Sequence, residues 1–157
     1  MQKITTFLWF NDQAEEAVNF YTSIFTDSKI LTMSRYGDAG PGPKGSVMVI
    51  SFQLNGQEFM ALNGGPVYSF TPAVSLVVNC ETQEEVDHYW DRLCEGGKPI
   101  QCGWLVDKYG LSWQIVPIQL GQMMADEDAE RAKRVTQAMF KMVKLDLNVL
   151  QQAYNGK

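Results

Sequence analysis

Two stretches of this chain, sixty-eight residues apart, carry the same pattern. "TFLWFNDQAEEAVNFYTSIF" (6–25) aligns without gaps on "VSLVVNCETQEEVDHYWDRL" (74–93), with identities at Leu8/Leu76, Asn11/Asn79, Glu16/Glu84, Val18/Val86 and Tyr21/Tyr89. Average residue usage gives about one chance identity in such a window. A duplicated unit must fold twice in the same way, so it restricts the architecture more than any single motif does.

Both copies read as strand, cap and helix. In the first, Asp12 and Glu15 predict a capping box ahead of an apolar stripe of Ala14, Ala17, Val18, Tyr21, Ile24 and Phe25. In the second, Thr82 and Glu85 predict the box, Val86, Tyr89, Trp90 and Leu93 the stripe, and Gly96-Gly97 the stop. One apolar face per helix fits a helix lying on the outside of a sheet. Strand-like runs follow: "KILTMSRY", "SVMVISFQL" and "QEFMALN" in the first copy, with a hairpin turn at Asn55-Gly56. The second copy offers "KPIQCGWLVD", a turn at Lys108-Tyr109-Gly110, and "LSWQIVP".

The expected fold is therefore α+β, with two βαβββ halves (1–65 and 66–118) and a C-terminal helical extension (119–157) in a single domain, 1–157. Within the extension, Asp126 predicts the cap of a helix reaching about Val143, with Ala132, Val135, Met139 and Met142 on its apolar side. "LDLNVLQQAY" predicts a further short helix.

Composition removes several function classes. A chain of 157 residues, 45% hydrophobic and 20% charged, suits one globular domain. Its formal charge of −5 and scattered Lys and Arg leave no basic face for nucleic acid. The apolar opening "ITTFLWF" is too short for a signal peptide, and no apolar run approaches the ~20 residues of a membrane span. Cys80, Cys94 and Cys102 are odd in number and lack metal-type spacing, which points to reduced thiols in a cytoplasmic protein. The loop "GDAGPGPKG" (37–45) holds a literal G-x-G-x-x-G, but two prolines interrupt it and a strand follows where a phosphate site needs a helix. It reads as a mobile loop.

The two βαβββ units and the D-x-x-G turn at Asp107–Gly110 resemble the vicinal-oxygen-chelate (glyoxalase/bleomycin-resistance) superfamily. The segments "FLWFNDQAEEAVNFYTSIF", "RYGDAGPGPKGSVMVISFQLNGQEFMALNGGP", "VNCETQEEVDHYW" and "CGWLVDKYGLSWQIVP" more closely resemble its PhnB-like group, labelled "3-demethylubiquinone-9 3-methyltransferase". With the tail "RVTQAMFKMVKLDL" the resemblance extends over essentially the whole chain. It implies cupped mixed sheets with outer helices, a pocket inside them, and a homodimer whose two chains complete each other's cups. In the superfamily's enzymes, His, Glu or Gln from the first and last strands of each half bind a divalent metal. Carried over, the terminal ligand position falls on Gln114, its counterpart ending the fourth strand on Asn63, and the others near Thr6 and Ala73 to Ser75. Segments 1–10 and 66–80 contain no His, Asp or Glu.

The residues themselves point the same way. His88, the sole histidine, lies beside its helix stripe and reads as solvated. Alternation puts Glu58 on the outer face of its strand. Gln114 is a polar interruption of an apolar strand, and a buried amide there binds either a side chain or a ligand. Trp104, Trp113, Phe52 and Phe59 supply aromatic surface, and Arg35 can meet an anion or a surface acid. Cys102 is the thiol nearest the expected pocket, without a histidine to activate it.

The leading reading is a metal-independent small-molecule-binding protein, without a cofactor and without an assigned catalytic residue. Its expected ligand contacts are Gln114, Asn63, Trp104, Cys102 and Arg35. Its expected partners are a small-molecule ligand and a second copy of the chain, with no nucleic acid and no membrane. The alternative is a metal-dependent lyase, isomerase or dioxygenase, with Gln114, Asn63 and waters around the metal. A structural or protein-interaction dimer is the third reading. Methyl transfer lacks a strand, Gly-rich turn and helix to hold a nucleotide-like donor.

Overall fold

Period-two alternation in the strands sets which face each sheet turns to its helix. In β1 (Thr6–Phe10), Leu8 and Phe10 are buried while Phe7 is half exposed. In β4 (Gln57–Asn63), Phe59 and Ala61 are buried on the same side. The helix that covers them, α1 (Ala14–Ile24), presents Ala14, Ala17, Val18, Tyr21 and Ile24, which follows the expected stripe as far as Ile24. Strands β2 (Lys29–Arg35) and β3 (Val47–Leu54) complete a sheet in the order β1-β4-β3-β2, with β1 and β4 parallel and the other pairs antiparallel. Asn55 (φ 51°) and Gly56 (φ 80°) make the β3–β4 hairpin, both in the left-handed region that a two-residue turn of this hand demands.

The computed structural model describes residues 2–157, which form two compact units, one ending at Phe70 and one starting at Thr71. The second unit repeats the topology. Strand β5 (Ser75–Cys80), helix α2 (Gln83–Leu93), and strands β6 (Lys98–Pro99), β7 (Trp104–Val106) and β8 (Ser112–Pro117) give the order β5-β8-β7-β6. The run "KPIQCGWLVD" is therefore two short strands. Its middle is a turn in which Cys102 (φ 60°) and Gly103 (φ 80°) are left-handed, so no straight strand passes through them.

Capping agrees with expectation in part and in one copy only, where the Thr82 half of the box forms. Thr82 Oγ1 accepts the Glu85 backbone N–H at 3.2 Å. At α1 the boundary residue is Gln13, whose side chain caps nothing, and the Ala14 N–H donates to Asn63 Oδ1 at 2.8 Å. A residue forty-nine positions away does the work expected of Asp12.

The extension belongs to the second unit and has three helices: α3 (Ile118–Met124), α4 (Ala129–Phe140) and α5 (Leu147–Tyr154). The cap of α4 is Asp128, two residues after the expected Asp126, and the helix stops at Phe140, short of Val143. Asp126 instead accepts the Asp128 N–H and the Tyr154 hydroxyl. Leu120, Met123, Val135, Leu145 and Leu150 form the extension's own core, against which Val116 of β8 also packs.

Candidate functional site

Strand β8 alternates between Trp113 and Ile115, both buried, and Gln114 and Val116, which face the other way. In the sheet Gln114 stands beside Val77 of β5 and Trp104 of β7. Gln114, Trp104 and Val116 form the floor of an open cleft of about 530 Å³, to which the turn before β7 adds Ile100, Gln101 and Cys102. Leu120, Met139 and Phe140 of the extension form another wall, and Pro72 closes the outline. None of these side chains is ionisable as an acid or a base except the Cys102 thiol. Gln114 Nε2 donates to Ser75 Oγ at 2.9 Å, while its Oε1 accepts no hydrogen bond from a described residue. The cleft thus offers apolar and aromatic walls with two amides, the half-buried Gln114 at its floor and the exposed Gln101 at its edge.

Three of the expected contacts, Gln114, Trp104 and Cys102, come together here. Asn63 lines a smaller cleft of the first unit, about 260 Å³, beneath the 37–45 loop. Its amide is engaged at both ends, since Oδ1 accepts from Ala14 and Nδ2 donates to the Val47 carbonyl at 3.2 Å. Asn63 faces α1 with Phe59 and Ala61, whereas Gln114 faces away from Trp113 and Ile115. The first-unit counterpart of Gln114 is therefore Leu62, paired with Trp9 as Gln114 is paired with Val77. The expected correspondence was one residue out of phase, which in a strand moves a side chain to the other face. Arg35 is exposed on β2, where its guanidinium donates to the Gly45 carbonyl at 3.2 Å, and it lines neither cleft.

The 37–45 loop folds against Tyr36. A Cβ on Gly42 would lie 2.2 Å from the Tyr36 ring, so only glycine lets the loop close there. The Tyr36 hydroxyl donates to the Asn63 carbonyl. Phe52 and Phe59 stack at 5.5 Å inside the first unit, and Trp113 is buried in the second, so these aromatics serve the core.

A divalent metal does not fit the donors present. At the β5–β8 position the side chains are the Gln114 amide and the Ser75 hydroxyl, and both are neutral. Their neutral oxygens bring no charge to offset dehydration of a dication. Among the described residues no three His, Cys, Asp or Glu side chains come together. His88 is exposed on α2 beside Tyr89, and Glu58 is exposed on β4. Burial, assisted by the nearby Glu85 charge, pushes the Cys80 thiol up to about 12. Burial also raises Cys94, so neither thiol is set up as a nucleophile.

The C-terminal extension is tied to the cleft by main-chain bonds. Cys102 N–H donates to the Met142 carbonyl at 2.9 Å and Gly103 N–H to Val143 at 2.8 Å. Gln83 of α2 donates to the Leu145 carbonyl and accepts from the Leu147 N–H, and Lys144 pairs with Asp87 at 3.1 Å. The Gln83 and Lys144 hydrogen bonds hold the Asp87 carboxyl below its ordinary range. Met139 sits on the stripe expected for α4, but its place beside Gln114 had no local signal.

Residues 2–116 match the family described as 3-demethylubiquinone-9 3-methyltransferase, so the match stops before α3 and leaves out the tail "RVTQAMFKMVKLDL". The solved PhnB protein of Bacillus cereus, which carries the same description, is 48% identical (TM-score 0.69) over 74% of this chain and 99% of its own. The protein PA1353 from Pseudomonas aeruginosa is 21% identical with a TM-score of 0.63, covering 74% of this chain and 98% of its own. The fosfomycin resistance protein FosX from Listeria monocytogenes, solved with Mn(II) and sulfate, is 16% identical with a TM-score of 0.51, over 74% and 91%. The last two show a shared fold. Comparison with curated proteins gave no match.

Proposed function

The chain belongs to the 3-demethylubiquinone-9 3-methyltransferase family, within the glyoxalase/bleomycin-resistance fold, and on that premise we propose that it binds a small neutral organic molecule without a metal. The observation that carries this reading is Gln114. Its amide oxygen stands without a partner among the described residues in an uncharged, partly aromatic cleft, and a polar group so placed fixes the orientation of an otherwise apolar ligand. The methyltransferase description finds little support in the chain. The strand-to-helix turns at residues 11–13 and 81–82 contain no glycine to bring backbone against a phosphate.

We place the protein in the cytoplasm, on its three free thiols, and assemble it as a homodimer. Phe7 and Val77, each 50% exposed, lie on the sheet faces turned away from α1 and α2, and exposed apolar sheet surface favours cover by a second chain.

Native mass spectrometry of the protein isolated from its own cells tests the reading, with small molecules and metals sought together. A small-molecule adduct that is lost in Gln114→Leu, without metal, is the expected result. That substitution removes the hydrogen-bonding group at similar volume, so the melting temperature should change little. Near-stoichiometric metal lost with Gln114 would overturn the proposal. So would a Gln114→Leu protein that keeps its adduct and loses stability.

A further inference from the structure

Residues 118–157 lie outside the family match, yet Leu120, Met139 and Phe140 wall the cleft that Gln114 opens into. Phe140 is 61% exposed at the end of α4, where its ring stands on the rim of the cleft. Met139 is partly packed on the extension's core and adapts its shape readily. The main-chain bonds from Cys102 and Gly103 to residues 142 and 143 join this wall to the turn on the other side of the cleft. Gly103 permits that approach, because a Cβ there would stand 2.9 Å from Leu145 Cδ1 and 3.0 Å from the Ile115 carbonyl. The wall is thus held at fixed distance from Gln114 by backbone, and further by Gln83 and Lys144.

We infer that the C-terminal extension is the selectivity element of the cleft: Met139 and Phe140 restrict it to flat, neutral, largely aromatic molecules that carry one N–H or O–H donor for Gln114. The inference rests on the binding reading above and adds to it a ligand class and the residues that select it. Charge is excluded because an ion in the cleft would have no counter-charge among its walls. A donor on the ligand matches Gln114 Oε1, which accepts no hydrogen bond from a described residue. Flatness follows from Trp104 on the floor and Phe140 on the rim, both of which stack well on a planar partner.

N-phenyl-1-naphthylamine is a suitable test molecule: neutral, aromatic, with one N–H, and fluorescent when removed from water. The full chain is titrated with it, and Cys102 alkylation by iodoacetamide is followed in parallel to locate it. Saturable binding that shields Cys102 is expected. Phe140→Ala and Gln114→Leu should each weaken it by about tenfold, the scale of one lost aromatic contact or hydrogen bond. Val149→Ala, which trims an exposed apolar side chain of α5 outside the cleft, should leave it unchanged. Phe140→Leu should recover part of the affinity, and circular dichroism should report the same fold for every variant. If Gln114→Leu weakens binding while Phe140→Ala and Met139→Ala do not, the extension is no selectivity element and the binding reading survives. If the unaltered chain fails to bind, or binds without shielding Cys102, both fall.

Discussion

The indole N–H of Trp113 donates to Asp107 Oδ2 at 2.8 Å, inside the second unit where both side chains are buried. The other carboxylate oxygen accepts the backbone N–H groups of Tyr109 at 2.8 Å and Leu111 at 3.1 Å. One carboxylate, 3% exposed, therefore closes the D-x-x-G turn and anchors the strand that carries Gln114. The D-x-x-G motif has a mechanical reason here: Asp supplies the acceptors, and Gly110 (φ 91°) takes the left-handed turn position.

Asp107→Ala should be among the most destabilising single changes, because it removes the carboxylate that accepts from three buried or part-buried donors. A loss of about 3–5 kcal/mol is expected in urea unfolding, and Asp107→Asn, which keeps one acceptor, should cost about half of that. Equal costs for the two variants would show that burial of the chain turn, and not the shared carboxylate, is what matters.

Asn63→Ala should reduce stability by about 1–2 kcal/mol, since it removes the cap of α1 and a bond to the Val47 carbonyl. Asp12→Ala should be nearly silent in the same thermal melts, because Asp12 does not cap that helix. A stable Asn63→Ala protein with impaired ligand binding would make Asn63 a ligand contact after all.

Stability should decline as the solution is made alkaline. Burial raises the Cys80 thiol to about 12, while in the unfolded chain the same thiol ionises near ~8.5. Between those values the unfolded state holds fewer protons than the folded one, so unfolding becomes easier as pH rises, by at most about 1.4 kcal/mol per pH unit. The contribution is fully present below the lower value and lost progressively above it. Denaturation curves of the native chain and of Cys80→Ala, measured from neutrality to pH 10.5, should converge on the alkaline side. Parallel curves would show that Cys80 does not set the slope.

Light scattering in dilute solution should report twice the chain mass. Phe7→Glu or Val77→Glu, each placing a charge on a half-exposed sheet face, should shift the population toward monomer without unfolding it. A monomer at micromolar concentration in the unaltered protein would remove the dimer from the proposal.

Much of the architecture is written in local pattern. Periodicities of 2 and 3.6, the Asn55-Gly56 turn and the Thr82 cap are short-range signals, and they reappear apart from element ends and the turn that splits 98–107. The duplication carried the rest, because two copies of one pattern gave two sheets of the same strand order. Only tertiary structure decided the cap of α1, since Asn63 reaches Ala14 across forty-nine residues and no local rule selects such a donor–acceptor pair. It also decided that Asn63 and Gln114 face opposite ways relative to their helices, a matter of one residue of strand phase. The same holds for the cleft wall. The apolar stripe of α4 shows that Met139 must be covered by something, but packing direction, fixed by the bonds from Cys102 and Gly103, is what sets it beside Gln114.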